Sequence, residues 1–532
     1  MLALALLWVS LWCVCFGLGA AVYAAAFRLD GPSFRAIASL DQLLWVGICV
    51  VLAMLQLASL GVALTGWVML ALGALSALGW PTLYRLFRRC RRADIVRTLF
   101  ALIVLLSLAN SALQKADWYD TVSTHVQQAK WAHEFPAVLG LANLNGKLGF
   151  DLAHHLLAAV LSFGPFAHRS SHLAVSFLLC SVALVWVLTL LSSGGSGPRT
   201  ERTFVALTLA YVAGKAWTNE LASLSGDLAM ASLLLPAVRE LIRLGPSLRR
   251  GRRTGWSLLV LGALSGALFA VKFSALPVLL AFTVVALRRH STWRALLAAS
   301  LLPALLVVAT VARRIVLTGW PLYPIPVLGL HVSWAVPHEQ TLSQYRWIQA
   351  WARLPKHDPN DVLDHGFAHW FLPWFERFRH SREWALGLVA VAALLVRNGA
   401  PRLAIVTALA CVVYWFLGAP DVRFGGVFFW VLFAVSLTPL LERDRALTFI
   451  VCAGLVWWND GHVVRIVDGA AIPVDEHPPT RTDTMVRDGA TFDINVPTQG
   501  DLCGDAPLPC SNTLGEGRMR EPGALARGFM PR

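Results

Sequence analysis

Five separated stretches place ionisable residues where long apolar runs give way to polar ones. ADWYDTVSTHVQQAKWAHEF (116–135) carries Asp117, Asp120, His125, Lys130 and Glu134. WTNELASLSGDL (217–228) adds Asn219, Glu220 and Asp227, and FAVKFSALP (269–277) adds Lys272. Arg313 and Arg314 follow an apolar run, and GAPDVRF (418–424) brings Asp421 and Arg423. Together they suit group transfer from a phosphate. A carboxylate can take the proton from an acceptor hydroxyl. Fixed cations can stabilise the charge that builds on a departing phosphate. Arginine suits that task because its planar fork donates two hydrogen bonds.

The elements that must position these residues are membrane spans. Mean hydropathy is +0.60 and 14% of the 532 residues are charged, which does not suit a soluble chain of this size. Apolar runs near ~20 residues match the length that crosses a hydrocarbon core. Helices are predicted at about 3–26, 43–60, 63–83, 98–114, 171–192, 203–219 and 226–242. More follow at about 255–271, 275–287, 295–312, 383–396, 403–418, 424–440 and 446–458, making about fourteen spans in an all-α polytopic membrane protein. An amphipathic or half-buried stretch is predicted at 150–166. The first run, LALALLWVSLWCVCFGLGAAVYAAAF (2–27), lacks a basic n-region and is predicted as a span instead of a cleaved signal peptide.

Links between the runs are alternately rich and poor in arginine. The rich ones are YRLFRRCRRADIVR (84–97), RELIRLGPSLRRGRR (239–253), RRHSTWR (288–294) and RNGAPR (397–402). Lys and Arg are retained on the cytoplasmic side. Setting 84–97 inside places the N-terminus, the segments 115–150 and 313–382, and the tail 459–532 outside, with the other rich links inside. The net charge of +14 is thereby accounted for as orientation signal, which argues against a nucleic-acid partner.

Segment 313–382 is rich in Trp, Pro and His and is expected to form amphipathic helices along the outer leaflet. The tail is expected to be a small loop-rich or β module. Its Cys503 and Cys510 would be bridged in an oxidising compartment and free thiols otherwise. Cys13, Cys15, Cys49, Cys180, Cys411 and Cys452 lie in apolar runs as small core residues, and Cys90 falls in a basic link.

The stretch YDTVSTHVQQAKWAHEFPAVLGLANLNGKLGFDLAHHLL (119–157) resembles the first external loop of an uncharacterised family of bacterial polytopic membrane proteins. The likeness recurs at SGDL (225–228), VKFSALP (271–277), RRIVLTGWPLYPIPVLGL (313–330), WIQAWARLP (347–355), PDVRF (420–424) and DLCGDAPLPCSN (501–512). That family in turn resembles the GT-C superfamily of lipid-phosphosugar-dependent glycosyltransferases. The resemblance covers most of the chain from about residue 98. It implies an N-terminal three-helix addition (1–97), a GT-C-like core (98–458) and an external module (459–532).

It also implies roles. A GT-C enzyme places its catalytic acid in the first external loop, a position that Asp120 matches best and Asp117 second. His125 matches a family histidine and would bind substrate. The implied reaction moves a sugar, with inversion, from a polyprenyl-phosphate carrier to a glycan or lipid acceptor outside a bacterial inner membrane. Asp227 is a candidate second acid, and Lys272, Arg313 and Arg423 are candidate phosphate ligands. Thr124, Asp151 and Ala153 depart from the family pattern on the acceptor side of the pocket.

Four of these residues also have a plainer role. Asp120 and Asp227 precede helical or apolar runs and would serve as N-caps. His125 would sit on an interfacial helix face. Arg423 would pair with Asp421 or snorkel to the interface. No zinc-type Cys/His spacing is present, and a divalent ion near Asp120 and His125 stays open. A transporter or lipid flippase, and an inactive scaffold of surface-polysaccharide assembly, are the other function classes.

Overall fold

A computed structural model describes residues 1–29, 39–88, 95–192, 199–249, 254–289, 292–396, 401–458, 471–487, 490–511 and 517–531. Cys90 and parts of the four basic links lie outside the described residues. The fold is predominantly helical. Among the described residues, six helices are long and apolar enough to cross a membrane: Leu2–Leu29, Leu40–Ala58, Gly66–Leu86, Ser170–Leu191, Trp293–Thr318 and Val422–Leu441. Five more apolar helices, such as Gly255–Val271 and Arg402–Gly418, are shorter.

Every span expected from the sequence coincides with helix, but fewer than about fourteen meet the length and hydropathy of a full span. A 17-residue helix rises only ~26 Å, short of the ~30 Å hydrocarbon core. Others carry charge: Arg199–Ala216 contains Glu201, and Gly226–Arg249 contains Arg239, Glu240 and Arg243.

One continuous apolar core runs from Leu4 to Ile472. The first helices belong to it. A Cβ on Gly47 would lie 1.8 Å from the Cys15 carbonyl oxygen, so only glycine permits this crossing of Leu2–Leu29 with Leu40–Ala58. Trp12 Nε1 donates to Ser181 Oγ at 2.8 Å. The outer surface is also apolar, with Trp67, Leu395 and Trp457 each more than three-quarters exposed.

The helix expected over 226–242 runs on to Arg249, so Arg239 and Arg243 are not free link residues. Arg239 pairs with Asp41 at 2.9 Å and Glu201 at 2.7 Å, and Arg243 pairs with Asp41 at 3.1 Å and Glu201 at 2.8 Å. Glu240 accepts from Gln42 Nε2 at 2.9 Å. Buried arginines persist there because carboxylates from three helices neutralise them.

The helix expected to end at 312 continues to Thr318 and stops at Gly319. Gly319 takes φ +79°, and its N–H reaches the Ile315 carbonyl at 2.8 Å, a left-handed cap that favours glycine. Beyond it lie three short helices, His338–Arg353, Pro359–Asp364 and Phe367–Phe378. The tail forms an antiparallel hairpin of β1 (Thr480–Arg487) and β2 (Ala490–Pro497), plus a short pair, β3 (Arg518–Met519) and β4 (Phe529–Met530). It docks on the 115–150 segment. Gly504 N–H donates to Val122 O at 2.6 Å and Phe529 N–H to Leu139 O at 2.8 Å. Trp131 and Leu141 share a small core with Phe492, Ile494 and Phe529.

Candidate active site

The ionisable residues converge where several helices end. Lys272 follows Gly255–Val271, Asp227 opens Gly226–Arg249, and Arg423 opens Val422–Leu441. Asp120 precedes a short π-helical turn, Thr121–His125, which leads into Val126–Glu134. Asp421 caps its helix by accepting from the Arg423 backbone N–H at 2.9 Å, leaving the guanidinium to reach elsewhere. Arg423 Nη1 lies 2.8 Å from Asp120 Oδ2, and its Nε lies 3.9 Å from Asp227 Oδ2. Lys272 pairs with the other oxygen of Asp227. Phe424 sits under both cations, 4.3 Å from Lys272 Nζ and 5.0 Å from the Arg423 guanidinium carbon. Two carboxylates and two cations from four separated segments thus form one cluster.

Two cavities meet at Arg423. The wider, of about 550 Å³, is lined by Tyr119, Asp120, His125, Lys147, Gln344, Trp347, Trp351, Phe424 and Asp501 among others. Trp347 and Trp351 stack at 5.6 Å on one face of His338–Arg353 and are partly exposed. Tyr119 Oη donates to Asp501, so the tail closes part of this wall. The narrower, of about 150 Å³, is lined by Trp118, Tyr211, Lys215, Glu220, Asp227, Arg382, Glu383 and Trp430 among others.

His125 lines the wide chamber, with its ring 4.7 Å from that of His155, which lies 4.3 Å from His154. His154 Nε2 and His155 Nε2 both face the Leu224 carbonyl, at 3.0 and 3.1 Å. Burial holds His125 down to about 4, opposed by the Asp120 carboxylate and assisted by Arg423. Burial likewise holds His154 down to about 3 and His155 well below the ordinary range. An unfolded chain would protonate these rings below pH ~6.5 while the fold keeps them neutral. Their contribution to stability is therefore full above that pH and falls as pH drops toward 4. Thermal unfolding in detergent from pH 7.5 to 4.5 should show a falling Tm, with a shallower fall in His125→Gln. An identical slope in wild type and variant would remove His125 from this account.

Two candidates lie outside the cluster. Arg313 is buried inside its helix, with Nε 2.7 Å from Asp151 Oδ1 and Nη1 2.8 Å from Ser59 Oγ, so it does not face the site. The extra helical turns carry it inward, and Asp151 neutralises it. Arg314, also buried, stacks over Phe273 at 4.0 Å. Asp117 accepts from Asn219 Nδ2 at 2.7 Å and lines neither chamber. Cys503 and Cys510 are joined in a disulfide with Cα atoms 5.9 Å apart. Gln127 Nε2 donates to the Gly504 and Ala506 carbonyls of the enclosed loop, each at 2.9 Å. Among the described residues, no group of three or more His, Cys, Asp or Glu side chains is placed to hold a metal ion.

Sequence reasoning missed Tyr119, Asp501, Trp347 and Trp351 as site walls, and Tyr211 and Glu383 as linings of the narrow chamber. The WIQAWARL pattern, with two tryptophans four residues apart, signals a shared helix face. Nothing local marks Asp501.

Fold and site define a helical protein with several membrane-length apolar helices and a charged, two-chambered cleft at their ends. Residues 1–430 match the family described as a domain of unknown function, DUF8201, and the chain belongs to that family. The match includes Asp120, Asp227, Lys272 and Arg423 and ends before the tail that supplies Asp501. No curated protein and no solved structure matches the chain.

Proposed function

We propose that this chain is an integral membrane glycosyltransferase. It takes a sugar from a polyprenyl-phosphate donor and delivers it to a glycan or lipid acceptor on the external face of a bacterial inner membrane. The observation that carries this reading is the cluster Asp120–Arg423–Asp227–Lys272, of which Asp120 and Arg423 line a chamber walled by Trp347 and Trp351. Trp and Tyr favour the interface where lipid headgroups sit. Charges at membrane depth are costly and collect around cavities. About fourteen spans in a GT-C-like arrangement, some tilted or short, and external termini complete the proposal.

Arg423 occupies Asp120 in the free protein. A lipid phosphate competes for its guanidinium, because a phosphate offers the fork a second charged acceptor. That frees Asp120 to take the acceptor hydroxyl proton as the acceptor oxygen bonds to the anomeric carbon. The bond from that carbon to the phosphate oxygen breaks, and its electron pair stays on the polyprenyl phosphate beside Arg423 and Lys272. His125, held neutral, is a hydrogen-bonding wall of the chamber. Both chambers lie at the helix ends that bear these residues, which supports transfer over passage between two faces.

Mass spectrometry of lipid-linked sugars and surface glycans tests the reading. Deleting the protein should cause one glycosylated polyprenyl phosphate to accumulate and one surface glycan to lose a sugar. Unchanged profiles of both would overturn it.

A further inference from the structure

The narrow chamber behind Arg423 is unused by the chemistry above, apart from Arg423 and Asp227 on its wall. Its lining pairs three carboxylates, Glu220, Glu383 and Asp227, with three cations, Lys215, Arg382 and Arg423. Lys215 Nζ lies 2.5 Å from Glu220 Oε2, and Ser225 Oγ donates to Glu220 Oε1 at 2.8 Å. The chamber is therefore close to neutral overall yet dense in hydrogen-bonding groups. That combination disfavours a charged ligand and favours a neutral one carrying many hydroxyls. Tyr211 and Trp430 stand 5.7 Å apart on one side, and Trp118 adds a further aromatic lining residue. Aromatic faces offer apolar surface for the C–H face of a sugar ring. A cavity of about 150 Å³ matches a single sugar ring better than a long chain.

We propose that this chamber is a monosaccharide subsite, holding the sugar carried by the lipid phosphate while Arg423 holds the phosphate at the chamber's edge. The inference rests on the glycosyltransferase reading and adds the place where the donor sugar is selected. Glu383 accepts from ring hydroxyls, and Tyr211 packs against the ring. Gly426 keeps the chamber open, since a Cβ there would lie 3.2 Å from Glu383 Oε1.

The test compares binding of undecaprenyl phosphate with binding of undecaprenyl-phosphate-linked glucose, mannose and galactose. Native mass spectrometry of the full chain in lipid nanodiscs supplies the readout. Wild type should bind one sugar-bearing lipid about tenfold or more tighter than the sugarless one. Glu383→Gln and Gly426→Val, on different helices, should each erase that preference while leaving undecaprenyl phosphate binding unchanged, which also reports that both variants fold. If wild type binds all four lipids equally, or both variants keep the preference, the subsite is wrong. Arg423→Ala separates this from the parent reading: undecaprenyl phosphate binding that survives this change overturns the phosphate site itself.

Discussion

Asp120→Asn is expected to lower sugar transfer by about 100- to 10,000-fold, the range a positioned general base supplies. The same change should leave insertion and yield near wild type. Asp120 and Arg423 are 34% and 39% exposed at their side chains, and ion pairs this open contribute only ~0–1 kcal/mol. Function and stability therefore separate at this residue. The measurement is transfer of labelled sugar in membrane vesicles at matched protein levels. Asp227→Asn is the comparison, because Asp227 touches the same arginine yet already pairs with Lys272. Undiminished transfer by Asp120→Asn would end its assignment as base.

Asp151→Ala has the opposite signature. Asp151 and Arg313 are 2% and 7% exposed, so removing the carboxylate strands a guanidinium inside the bundle. An uncompensated buried charge costs about 3–5 kcal/mol. That is a large part of the ~5–15 kcal/mol that holds a domain folded. Folded yield and Tm should drop sharply even though Asp151 lies outside the Asp120–Arg423 cluster. Removing both charges as Asp151→Leu with Arg313→Met should recover much of the loss, since apolar replacements of a buried pair are often neutral. A double variant as unstable as the single one would show that the pair is not what Asp151 serves.

This contrast bears on how much was legible from residues alone. In sequence Asp151 stands out only as a departure from a family pattern, and Arg313, a cation beside an apolar run, reads as a candidate phosphate ligand. Their pairing spans 162 positions, and no local pattern encodes such a distance. Arg239 and Arg243 misled for the same reason. In sequence they open a basic link, but carboxylates on two other helices, Asp41 and Glu201, draw them into the bundle. Asp120, Asp227, Lys272 and Arg423 lie next to helix ends, where charges stand out in the sequence against apolar flanks. Their mutual distances, and the way Arg423 passes over neighbouring Asp421 to reach Asp120, depend on packing.

Helical content, the approximate position of each apolar helix and the membrane-like composition were readable directly. Hydrophobicity and backbone hydrogen bonding act over one or two turns, so a window of sequence contains their causes. The division of roles among charged residues was not readable. Whether an arginine packs in the core, as Arg313 does, or faces a chamber, as Arg423 does, depends on which distant carboxylate lies within a few ångströms. The same holds for the chamber walls. Asp501, Tyr119 and Trp347 come from three segments, brought together because the tail docks on the first loop and the helix His338–Arg353 supplies another wall. Electrostatic partnership is set in three dimensions, after apolar packing has fixed which helix ends are neighbours.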